Sequence, residues 1–395
     1  MGSALSPLHR LWRGLPQGPR RRVLHRSVAW LAPRPDRAPP PPRLGVAVGG
    51  ELERASGLGE GARLMLAGLR ALGVPRWEAG PGKIPPPAVP LVLHLNPAAV
   101  SLGMLRLGRA AIQGRRIVGL WPWELQSPPP GWVDGFEFVH EVWAPSRFSA
   151  AAVQAAAPPG FPPVRVVPHP VACDDPPAEP ASLAALGVPP GALVTLVVFN
   201  LASSFVRKNP LGAIAAHRAA FGPRPDRVLL MRVGNAGDAQ SDFAVLREAA
   251  GGLPNVVFDT ATRSRAEARS MMAAADIVLS LHRSEGFGLV PAEAVLMGKP
   301  VVATAWSGTE DFLDDAWAIR IPARLVPAID PRGVFTNPGA LWAEPDIEAA
   351  AEALRHLANE PALRAALGAA ARAAGPQHLG PQGLAEAVRG LGLPV

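Results

Sequence analysis

The stretch Ala275–Phe312 reads ADIVLSLHRSEGFGLVPAEAVLMGKPVVATAWSGTEDF. Its apolar runs predict a buried strand over Asp276–Leu281 and another over Pro300–Thr304, with a polar glycine turn, His282–Gly288, after the first. A helix is predicted to open near Val290 and Pro291, because proline is favoured in a first helical turn, where the N–H that it lacks would have no partner. Strand, turn, helix and strand form the repeating unit of a parallel α/β sheet.

The predicted turn and helix start form a site for an anion. Amides of a first helical turn have no partner inside the helix and carry the positive end of its dipole, so a phosphate is the expected guest. Glu285 and Glu293 flank this site, with seven residues between them. A carboxylate beside a phosphate is unfavourable unless it binds something else, and sugar hydroxyls are the obvious partner. The pattern indicates a nucleotide sugar.

The segment Glu285–Glu293, followed by Gly298–Val302, resembles the E-x7-E signature of retaining family 4 glycosyltransferases with the GT-B fold. The resemblance implies two doubly wound, Rossmann-like α/β domains that face a cleft. It also implies that Glu285 contacts the transferred sugar and that Glu293 binds the ribose hydroxyls. For Glu293 the alternative is an ordinary acid near a helix N-terminus.

The resemblance implies a set of donor-site residues. In this chain they are Gly59, Arg207, Lys208, Glu285, Gly286, Phe287, Gly288, Leu289, Val290 and Glu293. Two interpretations of the loop around Gly59 are open, a loop facing the donor phosphates and a loop whose glycines serve packing. Arg207 and Lys208 are similar to the pair that holds the diphosphate in the family, but the family arginine commonly lies several residues earlier. Lys208, one of three lysines in an arginine-rich chain, is the stronger candidate.

Glu285, Lys208 and Glu124 are the predicted catalytic residues. Family members often carry a histidine after an early strand, and the counterpart here, Trp121–Glu124, has none, so Glu124 is the proposed substitute. Whether Glu285 is a nucleophile or an orienting group stays open. The chain has no Asp-x-Asp pair, so no metal and no other cofactor is expected. Lys208, Arg207 and the amides near Leu289 and Val290 are expected to stabilise the leaving diphosphate instead.

Several further polar residues lie near predicted strand ends, where ligands of parallel sheets bind. Asn96, Glu124, Ser146 and His169 are therefore candidates for the acceptor side, although His169 also fits a packing role. For His282 and Arg283, a place in the cleft and a structural role are equally open. Ser146 is also a predicted helix N-cap.

The composition supports two folded domains, with 395 residues, 48% hydrophobic and 18% charged. No apolar run approaches the roughly 20 residues of a membrane span, and the N-terminus shows no secretory signal. Cys173 is the one cysteine, so an internal disulfide is excluded. The expected location is the cytoplasm, including the inner membrane face.

Positive charge is concentrated at the N-terminus. Residues 1–43 hold nine arginines and one acid, Asp36, while the rest of the chain is nearly neutral, which argues against a nucleic-acid partner. The proline-rich segment 1–43 is predicted to be disordered. Its alternative role is a peripheral membrane contact through Arg20, Arg21, Arg22, Arg26, Trp12 and Trp30.

The predicted organisation has five parts. They are a basic tail over 1–43, an acceptor-side domain over 44–171, a linker over 172–190, a donor-side domain over 191–375 and a C-terminal helix over 376–395 that crosses back to the first domain. The predicted function is metal-independent, retaining transfer of a sugar from a nucleotide sugar to a hydroxyl of a glycan, lipid-linked or other acceptor. The alternatives are a nucleotide-sugar epimerase, a phosphorylase and a non-catalytic nucleotide-sugar-binding protein of the same fold.

Overall fold

The structure is a computed structural model that describes residues 27–54, 56–173, 178–335 and 337–395. Six strands form the first sheet: β1 (Val46–Gly50), β2 (Arg76–Ala79), β3 (Leu91–His94), β4 (Ile117–Leu120), β5 (Glu141–Ala144) and β6 (Arg165–Val166). Six form the second: β7 (Leu193–Asn200), β8 (Arg227–Gly234), β9 (Val256–Asp259), β10 (Ile277–Ser280), β11 (Val301–Thr304) and β12 (Ala318–Ile321). A separate antiparallel hairpin consists of β13 (Ala323–Pro327) and β14 (Leu341–Pro345).

Helices connect the strands. In the first half they are α1 (Gly57–Ala71), α2 (Pro97–Leu107) and α3 (Arg147–Ala156). In the second half they are α4 (Phe205–Lys208), α5 (Pro210–Phe221), α6 (Gln240–Ala249), α7 (Arg265–Ala274), α8 (Leu289–Leu296), α9 (Ile347–Asn359), α10 (Pro361–Leu379) and α11 (Gln382–Gly390). The 3-10 turns are Arg109–Ala111, Pro130–Phe138, Val171–Cys173, Ala184–Leu186 and Ser307–Asp311.

Both six-stranded sheets are parallel and doubly wound. Their strand orders are β2-β1-β3-β4-β5-β6 and β12-β11-β10-β7-β8-β9. The order reverses between β1 and β3 in the first sheet and between β7 and β10 in the second, and such a reversal is where parallel sheets open a crevice at the carboxyl ends of their strands. The predicted α/β fold of two Rossmann-like units is confirmed.

The two faces of the first sheet are covered by different elements. Alternate residues such as Val46 and Val48 pack under α1 and α11, while Ala47 and its neighbours Leu91 and Leu93 pack under α2, α3 and the Pro130–Phe138 turn. Alternation arises because successive strand side chains point to opposite faces. The second sheet is likewise covered by α5, α6 and α9 on one face and by α7, α8 and α10 on the other.

The C-terminal helix α11 packs on the first sheet. Its residues Leu384, Ala387 and Val388 are buried beside Val46 and Val48. The chain therefore returns from the second half to the first after α10. The predicted boundary at 375/376 falls inside α10, which continues through Pro376 to Leu379.

Part of the N-terminal segment is held against the first sheet. Residues 27–31 are helical, and Ala32 is buried. Asp36 accepts a hydrogen bond from the Gly114 amide at 2.7 Å, and its carbonyl oxygen lies 2.7 Å from Nε2 of His140. The prediction of disorder over 1–43 is therefore wrong for residues 32–36, because buried and hydrogen-bonded groups fix them. Residues 1–26, with Trp12 and the arginines Arg20, Arg21, Arg22 and Arg26, lie outside the described residues.

The predicted linker has no strand in its described part, residues 172–173 and 178–190. Leu183, Leu186 and Val188 pack against the core of the second sheet, so this end of the segment is attached to the second half. None of the helices in the described residues has the length and apolar character of a membrane span.

Candidate active site

Glu285 lies at the centre of a buried charge cluster. It directly follows β10 and the short segment Leu281–Ser284, and its side chain is only 10% exposed. Lys208 Nζ is hydrogen-bonded to Oε1 of Glu285, and Arg207 lies 3.2 Å from Oε2. Burial alone would raise the pKa of Glu285, but Lys208 and Arg207 lower it to about 2. The carboxylate is therefore ionised throughout the neutral range.

Arg207 joins the carboxylates of the two halves. Its guanidinium lies 3.2 Å from Glu285 in the second half and 3.6 Å from Glu124 in the first half, and it donates to the Ser284 carbonyl at 2.7 Å. Burial raises the pKa of Glu124, although Arg207 acts in the opposite direction. The structure thus brings together the three predicted catalytic residues, Glu124, Lys208 and Glu285, around Arg207.

Local capping sets the position of Arg207 and Lys208. The single turn α4 is capped at its start by Ser204, whose Oγ accepts from the Arg207 amide, and at its end by Asn209, which has φ 51°. Asn209 then caps α5 through the Gly212 amide and donates to the carbonyl of Leu281 at 3.0 Å. These contacts tie the two cations to the end of β10, next to Glu285.

The glycine turn Gly286–Gly288 fits between the two halves. The Gly286 carbonyl accepts hydrogen bonds from Ser146 at 2.6 Å and from Ser149 at 3.1 Å, both in the first turn of α3 or its cap. The side chain of Phe287 is buried, and its ring meets His169 edge-on at 5.0 Å. Gly288 has φ +100°, which favours glycine, and a Cβ there would lie 2.4 Å from Thr309.

Helix α8 begins directly after this turn, at Leu289, one residue earlier than predicted. Gly288 provides no side-chain cap, so the amides of Leu289 and Val290 remain available by the geometry of a helix start. Pro291 follows in the same first turn and has no N–H. The predicted anion site therefore contains the two amides of Leu289 and Val290, in the first turn of α8.

Glu293 belongs to a second charge cluster. It is surrounded by Glu60 of α1, Arg232 of β8, and Arg265 and Arg269 of α7. Burial and then Glu60 raise the pKa of Glu293 to about 7, while the arginines lower it. Arg265 also bridges the halves, with 2.7 Å between its guanidinium and Glu60. Glu293 is therefore separated from Glu285 and lies where α7, α8 and the end of β8 converge.

Gly59 has a packing role. The helix α1 begins at Gly57, so Gly59 lies in its first turn and its amide donates to the Ser56 side chain at 3.1 Å. A Cβ at Gly59 would lie 2.4 Å from the Glu51 carbonyl and 2.5 Å from that of Arg54. Of the two interpretations of this loop, the structure supports close packing, because the amide already has a partner.

Most of the remaining candidates have structural partners. The buried His282 lies within 3.2 Å of the Ser280 side chain and the Trp306 carbonyl. Arg283 forms a two-point ion pair with Glu344. Ser146 caps α3 as predicted. Asn96 lies at the N-cap position of α2 without a capping bond.

A family model matches residues 147–374, more than half of the chain, and is described as family 4 glycosyltransferase in conflict systems. The protein belongs to this glycosyltransferase family. The match includes Arg207, Lys208, Glu285 and Glu293 but begins after Glu124. No curated protein matches the sequence.

Solved structures resemble this family 4 glycosyltransferase along most of its length. HepE from Anabaena, in complex with UDP and glucose, has a TM-score of 0.60 at 15% identity, over 88% of this chain and 100% of that one. A glycosyltransferase from Rickettsia africae gives 0.61 at 13% identity, over 88% and 98%. WaaG, a glycosyltransferase involved in lipopolysaccharide biosynthesis, gives 0.54 at 16% identity, over 87% and 100%. At these identities the likeness concerns the fold.

Sequence reasoning missed part of the site of this glycosyltransferase. Glu60 and Arg265 bring charge across the cleft, and Ser307 accepts a hydrogen bond from the Glu285 amide at 2.8 Å. Phe335 of the hairpin loop stacks on Trp123 at 5.4 Å and lies 5.1 Å from the Arg207 guanidinium. These residues come from distant parts of the chain, and no short motif marks them.

Proposed function

We propose that this glycosyltransferase moves a hexose from a nucleoside diphosphate sugar to an acceptor hydroxyl, with retention of the anomeric configuration and without a metal ion. The observation that carries the proposal is the ionised Glu285, held between Lys208 and Arg207 beside the first-turn amides of α8. The site combines cations and amides for a diphosphate with a carboxylate for sugar hydroxyls. The UDP-glucose complex of HepE, a protein of the same fold, supports this class of donor.

Arg207 and Lys208 are proposed to bind the diphosphate and to stabilise its charge as the bond to the sugar breaks. Glu285 and Glu124 now neutralise both cations, so an arriving diphosphate would exchange partners with them. Glu285 would then accept hydrogen bonds from the sugar hydroxyls. Glu293 would bind the ribose hydroxyls on the other side of the turn.

Glu124 is proposed to assist the acceptor. Burial raises its pKa, which makes the carboxylate a better proton acceptor near neutral pH. In the proposed step the acceptor oxygen bonds to the anomeric carbon on the face that the diphosphate leaves, the bond to the diphosphate breaks, and the hydroxyl proton moves to Glu124. The acceptor is proposed to be a glycan or lipid-linked hydroxyl, held by the first half of the chain.

A ligand screen and a transfer assay test the proposal together. A nucleotide sugar that binds the native protein should raise its Tm. With that donor, Glu285→Gln should bind the nucleotide but lose at least about 100-fold in transfer, the scale of one electrostatic contact to the transition state. Full transfer activity in Glu285→Gln would contradict the proposed role of Glu285.

Conversion of the donor without an acceptor would favour an epimerase, and dependence on free phosphate would favour a phosphorylase. Binding with no turnover would favour a non-catalytic protein.

Two further measurements test the independence from a metal ion and the retention of the anomeric configuration. Activity should persist in excess EDTA if Lys208 and Arg207 replace a metal, and a loss restored by Mg²⁺ or Mn²⁺ would contradict this. The anomeric proton coupling in the product spectrum distinguishes retention from inversion.

A further inference from the structure

An exposed apolar and basic surface lies on the first half of the chain. Leu102, Leu105, Arg106 and Arg109 follow the spacing of one helical face along α2 and the turn after it, and all four are exposed. Val100, Ser101 and Met104 form the buried face of the same helix. We call the four exposed residues the α2 face.

The N-terminal helix, residues 27–31, adds exposed apolar surface to the same half of the chain. Trp30 is 83% exposed and Leu31 is 58% exposed. Asp36, a few residues after Leu31, accepts a hydrogen bond from the amide of Gly114 and so fixes this segment to the first half. Gly114 follows Arg109 by five residues. Ala29 and Ala32, on either side of Trp30 and Leu31, pack in the same buried cluster as Val100 and Met104 of α2.

The charge of this region has one sign. Residues 97–116 contain four arginines and no acid. Arg115 is buried against the carbonyls of Pro85 and Val89, and Arg116 pairs with Glu141. Among the described residues, Arg106 and Arg109 have no ion-pair partner.

We propose that the α2 face, with Trp30 and Leu31, docks on an anionic lipid surface. Exposed leucine and tryptophan side chains gain by entering the interface of a bilayer, and neighbouring arginines are attracted to anionic headgroups. A nucleic acid would satisfy the arginines but would leave the leucines exposed to water. This inference does not depend on the proposed reaction.

Vesicle co-sedimentation of the full chain tests the proposal. Binding is expected to vesicles that contain phosphatidylglycerol and not to vesicles of phosphatidylcholine alone. Arg106→Gln with Arg109→Gln should weaken binding about 30-fold, since each basic residue near such a surface contributes about fivefold. Leu102→Ser with Leu105→Ser should weaken it about tenfold or more, because it removes two apolar side chains from the interface.

A matched control separates the α2 face from exposed residues in general. Val245→Ser with Arg247→Glu alters an exposed apolar and a basic position on α6 and should leave vesicle binding unchanged. Wild-type binding by both α2-face variants would overturn the proposal, because residues 1–26 would then suffice. Equal binding to neutral vesicles, or stronger binding to duplex DNA, would also overturn it. The Tm shift with nucleotide sugars should be the same in all variants, so the two proposals fail separately.

Discussion

At the scale of single residues, the protonation of Glu293 distinguishes it from Glu285. Its pKa is raised to about 7, above the ordinary value of 4.5, chiefly by burial. Between those two pH values the unfolded chain releases the proton and the native chain keeps it. Rising pH therefore lowers stability, by up to about 1.4 kcal/mol for each pH unit.

Glu293→Gln should remove this penalty. The Tm of the variant relative to that of the wild type is expected to rise as the pH increases from 5 to 8, without ligand. Thermal unfolding of both proteins at several pH values measures this difference in Tm. A Tm difference that stays constant with pH would show that Glu293 ionises normally in the native state.

Gly288 is the residue at which the turn is least able to accept a side chain. Gly288→Ala combines φ +100° with a Cβ 2.4 Å from Thr309, so both the backbone and the packing oppose it. We expect a loss of about 2 kcal/mol or more in stability and a loss of donor binding. Gly57→Ala is the control, because a Cβ there meets nothing within 4 Å. Equal behaviour of the two variants in thermal unfolding and ligand binding would contradict the assignment.

At the scale of elements, the β13–β14 hairpin links the halves. Its loop carries Phe335, which packs on Trp123, and Asn337, which donates to the Ser127 carbonyl at 3.0 Å. Asp330 shapes the loop by accepting from the amides of Val334 and Phe335. The hairpin therefore closes the side of the cleft that holds Glu124 and Arg207.

Arg332 connects this loop to the donor cations. It donates to the carbonyls of Leu201 at 2.6 Å and Ser203 at 2.8 Å, just before α4. Arg332→Met should raise the KM for the donor about tenfold or more with a smaller change in kcat, because Arg207 and Lys208 lose their support. Arg324→Met, at an exposed position of β13, is the matched control. Equal donor KM values in both variants would exclude a positioning role.

At the scale of the whole molecule, buried histidines make the stability of the native state depend on pH below neutrality. Burial lowers the pKa of His94 and His282, and it lowers the pKa of His169 and His217 to about 4. Between pH 6.5 and 4 the unfolded chain binds protons that the native chain does not. Stability therefore falls as pH decreases through this window, opposite in sign to the effect of Glu293.

His169→Gln should reduce this acid sensitivity. The fall in Tm between pH 7 and 5 is expected to be smaller in the variant than in the wild type, because one proton fewer is taken up on unfolding. His356→Gln, at an exposed position of α9, serves as the control. An unchanged pH profile in His169→Gln would show that its imidazole titrates equally in both states.

Particular elements show how much of the fold could be predicted from the sequence. The strand–turn–helix unit around Glu285 was predictable because apolar periodicity, glycine and proline act over a few residues. The segment around Gly59 resembles a loop in its sequence, whereas the structure places Gly59 in the first turn of α1, packed against the carbonyls of Glu51 and Arg54. Disorder over 32–36 was wrong because Asp36 finds partners in Gly114 and His140, which are distant in the chain.

The sequence by itself determined the doubly wound fold and the glycosyltransferase family, because these depend on local patterns of apolar residues, helix starts and carboxylates. Only the tertiary structure decided that Arg207 joins Glu124 to Glu285, that Glu60 meets Arg265, and that α11 and the β13–β14 hairpin return to the first half. Such contacts join residues far apart in the chain, and their formation depends on how two folded halves pack rather than on any local pattern.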